Sequence, residues 1–162
     1  MGSFYPAQSA LFHAQSGKYV GLEFALVKGP LTVSSELVNA RVDEINSPTT
    51  YDLTGYFVQA GYFFGDYTEN FNRKNGRFKR FKPPAGESVW QMIIRYGDID
   101  LNDAGKGVHD KELTVGISWY ANRAIRMMGN YTKLKIAGDD AAAIVGDDTT
   151  GETASIRVQY FF

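Results

Sequence analysis

The chain has 162 residues, no cysteine and a formal net charge of −1. That length suits a single domain over residues 1–162, the missing thiols exclude a disulfide framework and Cys-ligated zinc, and the balanced charge excludes a basic field built for nucleic acid. Ten Tyr, eleven Phe and 17 Gly against five Pro favour strands joined by tight turns, while the longest apolar runs, such as Ala141 to Val145, are only about five residues, far too short for a membrane-spanning helix.

Strand-like segments follow one another with no convincing helical period. Met1-Gly2-Ser3-Phe4-Tyr5-Pro6 lacks the features of a secretory signal peptide, so the chain is expected to be truncated upstream. A weak strand candidate covers Phe4 to His13. In Tyr19 to Val27, Val20, Leu22, Phe24 and Leu26 oppose Tyr19, Gly21, Glu23 and Ala25. Lys28-Gly29-Pro30 reads as a tight turn, and Leu31 to Val42 is the least regular strand. In Tyr51 to Phe64 one face carries Tyr56, Val58, Ala60, Tyr62 and Phe64, but Phe57 and Phe63 interrupt its polar side. Trp90, Met92, Ile94 and Tyr96 share a face in Val89 to Leu101, opposite Gln91, Arg95 and Gly97. Leu113, Val115, Ile117 and Trp119 oppose Thr114, Gly116 and Ser118 in Glu112 to Tyr120. In Ala124 to Ile136, Ile125, Met127 and Tyr131 oppose Arg126, Asn130 and Thr132. The last segment, Glu152 to Phe162, sets Ala154, Ile156, Val158, Tyr160 and Phe162 against Thr153, Ser155, Arg157 and Gln159.

Strands apolar on one side and polar on the other suit a wall between lipid and water. A soluble β-sandwich accounts for any one of them equally well, but not for how the connections sort. If Phe162 lies at one rim, Ala121-Asn122-Arg123 and Lys28-Gly29-Pro30 fall at that rim as tight turns. The longer loops Asp43 to Thr50, Asn102 to Asp110 and Asp139 to Gly151 then fall at the other, which is the asymmetry of outer-membrane barrels. Gly65 to Ser88 breaks this rule, being long yet on the short-turn side. It carries Arg73, Lys74, Arg77, Lys79, Arg80 and Lys82 interleaved with aromatics, and either folds into a lumen or is a solvated basic loop.

Several runs, in order and spacing, resemble the phosphate-selective porin family, the porins O and P of the outer membrane. They are Gly55 to Phe63, Phe78 to Pro83, Val89-Trp90-Gln91 with Arg95-Tyr96, Ile99 to Asp103, Gly116 to Asn122, Met128 to Tyr131 and Arg157 to Phe162. The resemblance runs from about Tyr19 to the C-terminus. The chain departs from the family pattern at Phe64-Gly65-Asp66 and at Ser118, and it carries only the C-terminal half. The resemblance implies an all-β, antiparallel transmembrane β-barrel, with about eight strands present here of an expected sixteen or so. It also implies a trimer whose channel is narrowed by inward-folded segments, part of whose arginine-rich constriction is expected outside this chain.

With the aromatic and aliphatic positions facing lipid, Arg95, Arg126 and Arg157 face the lumen from separate strands. Arginine suits an oxyanion because its planar fork donates two parallel hydrogen bonds and never deprotonates. Arg77, Lys79, Arg80 and Lys82 of the basic connection add positive potential at the mouth. The competing reading pairs the wall arginines with carboxylates such as Glu23 and Glu36. Tyr96, Trp119, Tyr120, Tyr131, Tyr160 and Phe162 are candidates for the interfacial aromatic girdles. Lys133 and Lys135 are placed to meet lipopolysaccharide phosphates, and Asp139, Asp140, Asp147 and Asp148 form a solvated acidic loop or weak cation sites.

His13 and His109 have no ligand spacing, and no Ser-His-Asp set, Gly-rich phosphate loop or HExxH motif occurs, so neither enzyme activity, cofactor nor metal is expected. The expected protein is an anion-selective porin in the outer membrane of a Gram-negative bacterium. Its partners are inorganic phosphate or other small anions, outer-membrane lipid and lipopolysaccharide, and two further copies of itself. The alternative is a small eight-stranded structural or adhesive barrel, whose interior is filled by side chains.

Overall fold

The computed structural model describes residues 14–146 and 150–162. The weak candidate at Phe4 to His13 lies outside these residues. Seven long strands pair in sequence as one antiparallel sheet: β1 (Ala14–Lys28), β2 (Leu31–Glu44), β3 (Thr50–Phe63), β6 (Val89–Asp100), β7 (His109–Tyr120), β8 (Ile125–Ala137) and β9 (Thr150–Tyr160). A short hairpin, β4 (Phe71–Asn72) with β5 (Arg77–Phe78), sits in the connection between β3 and β6. The sheet is open among the described residues, with β1 and β9 at its edges.

The long strands run from 11 to 15 residues, beyond the roughly 10 that a tilted strand needs to cross a bilayer. No helix is long and apolar enough to cross a membrane. The ladders from β3 to β9 set the outward residues read from the sequence against one another, whereas the irregular β2 turns Val38 and Ala40 inward beside Arg95. Trp90 faces Trp119, Met92 faces Ile117 and Ile94 faces Val115 across β6 and β7, then Val115 faces Tyr131 and Tyr131 faces Ala154. This outer face leaves its apolar side chains uncovered, Ile117 being 48% exposed and Met92 45%. A soluble domain would bury such positions; their exposure is what the outer face of a barrel wall requires. Trp90 and Trp119 stack with ring centroids 5.8 Å apart, at the rim that holds the tight turns.

The buried apolar residues gather at the two rims. Phe63, Val89 and Tyr120 form one cluster on the inner face at the short-turn rim. Tyr120 is thus a correction to the girdle assignment: its neighbour Trp119 points to the outer face, so the period of two sends Tyr120 inward. Val108, Ile136 and Ala141 form the second cluster, at the opposite rim. There the loops hold one another: Asp52 N–H donates to Asp103 Oδ2 (2.7 Å), Asp139 N–H to Asn102 Oδ1 (2.8 Å) and Gly107 N–H to Asp140 Oδ2 (2.6 Å). A one-turn helix, α1 (Ala141–Val145), follows Asp140, where the sequence showed no helical period. Asp139 and Asp140 are therefore engaged in loop closure, and Asp147 and Asp148 lie outside the described residues.

Candidate functional site

The β3–β6 connection folds back over the inner face of the sheet. Aromatic packing holds it there. The Phe81 ring lies 4.3 Å from Phe63, 5.0 Å from Tyr120 and 6.1 Å from Tyr67 between centroids. Burying most of a Phe side chain is worth about 2 kcal/mol. Phe71 and Phe78 meet edge to face at 4.9 Å across the small hairpin. Polar contacts then fix its far end: Arg123 Nε donates to the Pro83 carbonyl (3.1 Å) and Arg80 donates to the Arg123 carbonyl. The Arg80 guanidinium stacks on Phe161, 3.4 Å from the ring centroid, tying the connection to the residues that follow β9.

Between the connection and the sheet lies a cavity of about 420 Å³. Lys79 and Arg80 enter it from the connection, Arg123 from the β7–β8 turn and Arg126 from β8, and Glu69 is the carboxylate among its lining residues. Four cations against one carboxylate make the cavity strongly positive. Arg126 is held by its surroundings. Its Nη2 donates to Ser118 Oγ at 3.0 Å and its Cζ lies 4.7 Å from the Tyr120 centroid, yet its buried Nε has no hydrogen-bond partner among the described residues. A desolvated guanidinium nitrogen without an acceptor is costly.

Glu69 is held by a relay. Tyr120 Oη donates to Gln91 Oε1 (3.0 Å), which turns Gln91 Nε2 to donate to Glu69 Oε2 (3.1 Å). Burial pushes the Glu69 carboxyl above its ordinary range, with the Gln91 hydrogen bond and Arg126 opposing that shift.

The other basic residues singled out in the sequence are spread along the inner wall. Arg157 pairs across from Met128 on β8, which pairs in turn with Ser118, so it stands level with Ser118 on the inner face and is exposed. Arg95 lies farther from the short-turn rim, level with Gln59 and Thr114, its Cζ 3.9 Å from the Phe57 ring. It lines a separate groove of about 350 Å³ with Glu36 and Glu112. No ion pair joins Arg95, Arg126 or Arg157 to Glu23 or Glu36 among the described residues. Arg77 and Lys82 are exposed on the connection and do not line the cavity. On the outer face Lys133 pairs with Glu152 at 3.1 Å, next to Lys135 and Lys111.

Arg123, Glu69, Gln91 and Gln159 were not singled out by the sequence. Arg123 reads only as a turn residue, and Glu69 sits in a segment without period. Gln91 and Gln159 could have been found, because strand parity puts both on the face of Arg126.

A one-sheet wall of two-faced strands, with a basic segment folded onto its inner side, has the architecture of part of a transmembrane β-barrel. Residues 7–162 match the family model for phosphate-selective porin O and P, and the chain belongs to that family. It is similar to Porin O of Pseudomonas aeruginosa, 27% identical over 154 residues, a match covering 88% of this chain and 34% of that protein. The chain thus spans about a third of the length of the curated relative it matches.

Proposed function

We propose that this chain forms part of a water-filled channel in the outer membrane of a Gram-negative bacterium, passing phosphate and other small anions down their gradient. The observation that carries the reading is the cavity on the inner face, lined by Lys79, Arg80, Arg123 and Arg126 around Glu69. Family membership supports passage through a barrel, and the cationic lining supports the sign of what passes.

Passive conduction requires sites that attract an anion without trapping it. Arg126, Arg157 and Arg95 stand at successive depths on one wall. An anion leaving the fork of one then meets the attraction of another farther along the wall. Lys79 and Arg80 add attraction at the mouth. They act as surface charges, so their effect falls with ionic strength over a Debye length of about 10 Å at 0.1 M. No bond is made or broken. In this reading the protein works as a homotrimer, and Lys111, Lys133 and Lys135 of the outer face meet the phosphates of lipopolysaccharide.

Reconstitution of the chain as encoded by its gene into planar bilayers tests the reading. The reversal potential in a chloride gradient is expected to have the sign of anion passage, and added phosphate is expected to block the chloride current. A cation-selective channel, or a chloride current indifferent to phosphate, overturns it.

A further inference from the structure

We infer that Glu69 is a specificity-determining residue of this cavity: a tethered internal anion that competes with the passing one for Arg126 and keeps its residence short. The inference rests on the anion-channel reading above. The cavity would be a trap if it were purely cationic. Lys79, Arg80, Arg123 and Arg126 converge on it, and no ion pair occupies Arg126 among the described residues. A carboxylate in the same cavity has no reason to be there for charge attraction alone, since it weakens the site for every anion.

Its position is built rather than incidental. Tyr120 orients Gln91, and Gln91 donates to one oxygen of Glu69, at 3.0 and 3.1 Å. The Tyr120 ring that starts this relay is also the ring against which the Arg126 guanidinium rests, 4.7 Å away. Packing of Phe81 on Phe63 and Tyr120 fixes the connection that carries Glu69. One aromatic residue thus places both the cation and its internal competitor. Conduction through a binding site is fastest when entry is favourable and exit is not slow, and a fixed carboxylate beside Arg126 serves exit.

The inference also specifies how the competition weakens. Glu69 is half-buried, which raises its affinity for a proton. Protonated, it no longer competes. The groups facing it are Arg126 of β8, Tyr120 of β7, Gln91 of β6, and Lys79, Arg80 and Arg123, none of which changes charge between mildly acidic and neutral pH. Sulfate keeps its double charge through that window, so it reports on the site and not on itself.

The experiment measures sulfate block of the chloride current through the reconstituted full-length channel between pH 4.5 and 8, for the native protein and for Glu69→Gln. The amide keeps the shape and can still accept from Gln91. The expected result is a half-blocking sulfate concentration lowered by about tenfold in the variant at neutral pH, the effect of one removed charge at close range. In the native channel block is expected to tighten as pH falls, and in E69Q to become flat over the same window. Equal block by the two proteins, or the same pH profile in both, overturns the role of Glu69 and leaves the channel reading standing. A native channel with no sulfate block at any pH overturns the role of Glu69, and added phosphate then decides whether the channel reading falls with it. If E69Q fails to assemble, the native profile decides alone, a flat one sinking the inference.

Discussion

Arg126 carries the heaviest expectation of any single residue. It donates to Ser118, lies over Tyr120 and lines the cavity. Replacing it with alanine is expected to weaken phosphate block roughly tenfold or more, the effect of about 1.5 kcal/mol for one charged hydrogen bond. Arg126→Lys keeps the charge and loses the planar fork, so its block is expected to fall between the two. Titrating phosphate against single-channel current separates the three proteins; an R126A channel that blocks like the native one removes Arg126 from the site. At this scale the sequence was legible wherever parity decides. The period of two placed Arg95, Arg126 and Arg157 on one face because lipid tolerates no alternation error in the middle of a wall. Phe57 and Phe63, which looked like interruptions of the polar side, have a physical reason. Phe57 lies under the Arg95 guanidinium and Phe63 is fully covered by the connection. Glu69 was not legible, since its role comes from tertiary placement and no local pattern encodes it.

The β3–β6 connection is the element that sets this wall apart from a plain sheet. Its docking depends on Phe81, and Phe81→Ala is expected to release it, with a loss of about 2 kcal/mol of local stability. Trypsin reports this directly, because cleavage after Arg77, Lys79 and Arg80 speeds up once the segment lifts and can unfold into the protease; a digestion rate equal to the native one counts against the docked arrangement. The opposite rim offers a backbone test. Gly107 has φ +99° and a side-chain carbon there would run into the Leu101 carbonyl. Gly107→Ala is expected to break the hydrogen bond from Gly107 to Asp140 and to speed hydrogen exchange across residues 101–108 and 138–141, while leaving exchange in the β6–β7 ladder slow. The strands themselves were readable to within a few residues. The connection was not, because aromatics interleaved with Lys and Arg describe a solvated loop as well as a docked one, and what chooses between them is the apolar patch at Phe63 and Tyr120 supplied by distant strands.

For the whole molecule, the expected solvent differs on the two faces of one sheet. Val115 and Thr114 are neighbours in β7, the first outward and 44% exposed, the second inward and hydrogen-bonded to Thr132 at 2.7 Å. Val115→Lys is expected to lower folding yield in lipid vesicles, a charge at mid-bilayer costing about 2–4 kcal/mol on a barrel exterior. Thr114→Lys is expected to fold far better and to strengthen anion selectivity. If both variants refold into vesicles alike, the assignment of the apolar face to lipid is wrong.

The cavity has no local origin. Its lining comes from β2, β3, β6, β7, β8, β9, the β3–β6 connection, the β7–β8 turn and Phe161 just after β9, with Arg80 resting on the Phe161 ring. No pair of neighbouring strands contains enough of it to attract an anion. The seat of Phe81 needs only Phe63 and Tyr120, so the connection can dock once β3 and β7 are in place, whereas the contact of Arg80 with Phe161 joins residues far apart in sequence and forms late. The stacking of Arg80 on Phe161 is the contact that makes the lining of the cavity wait for the residues after β9.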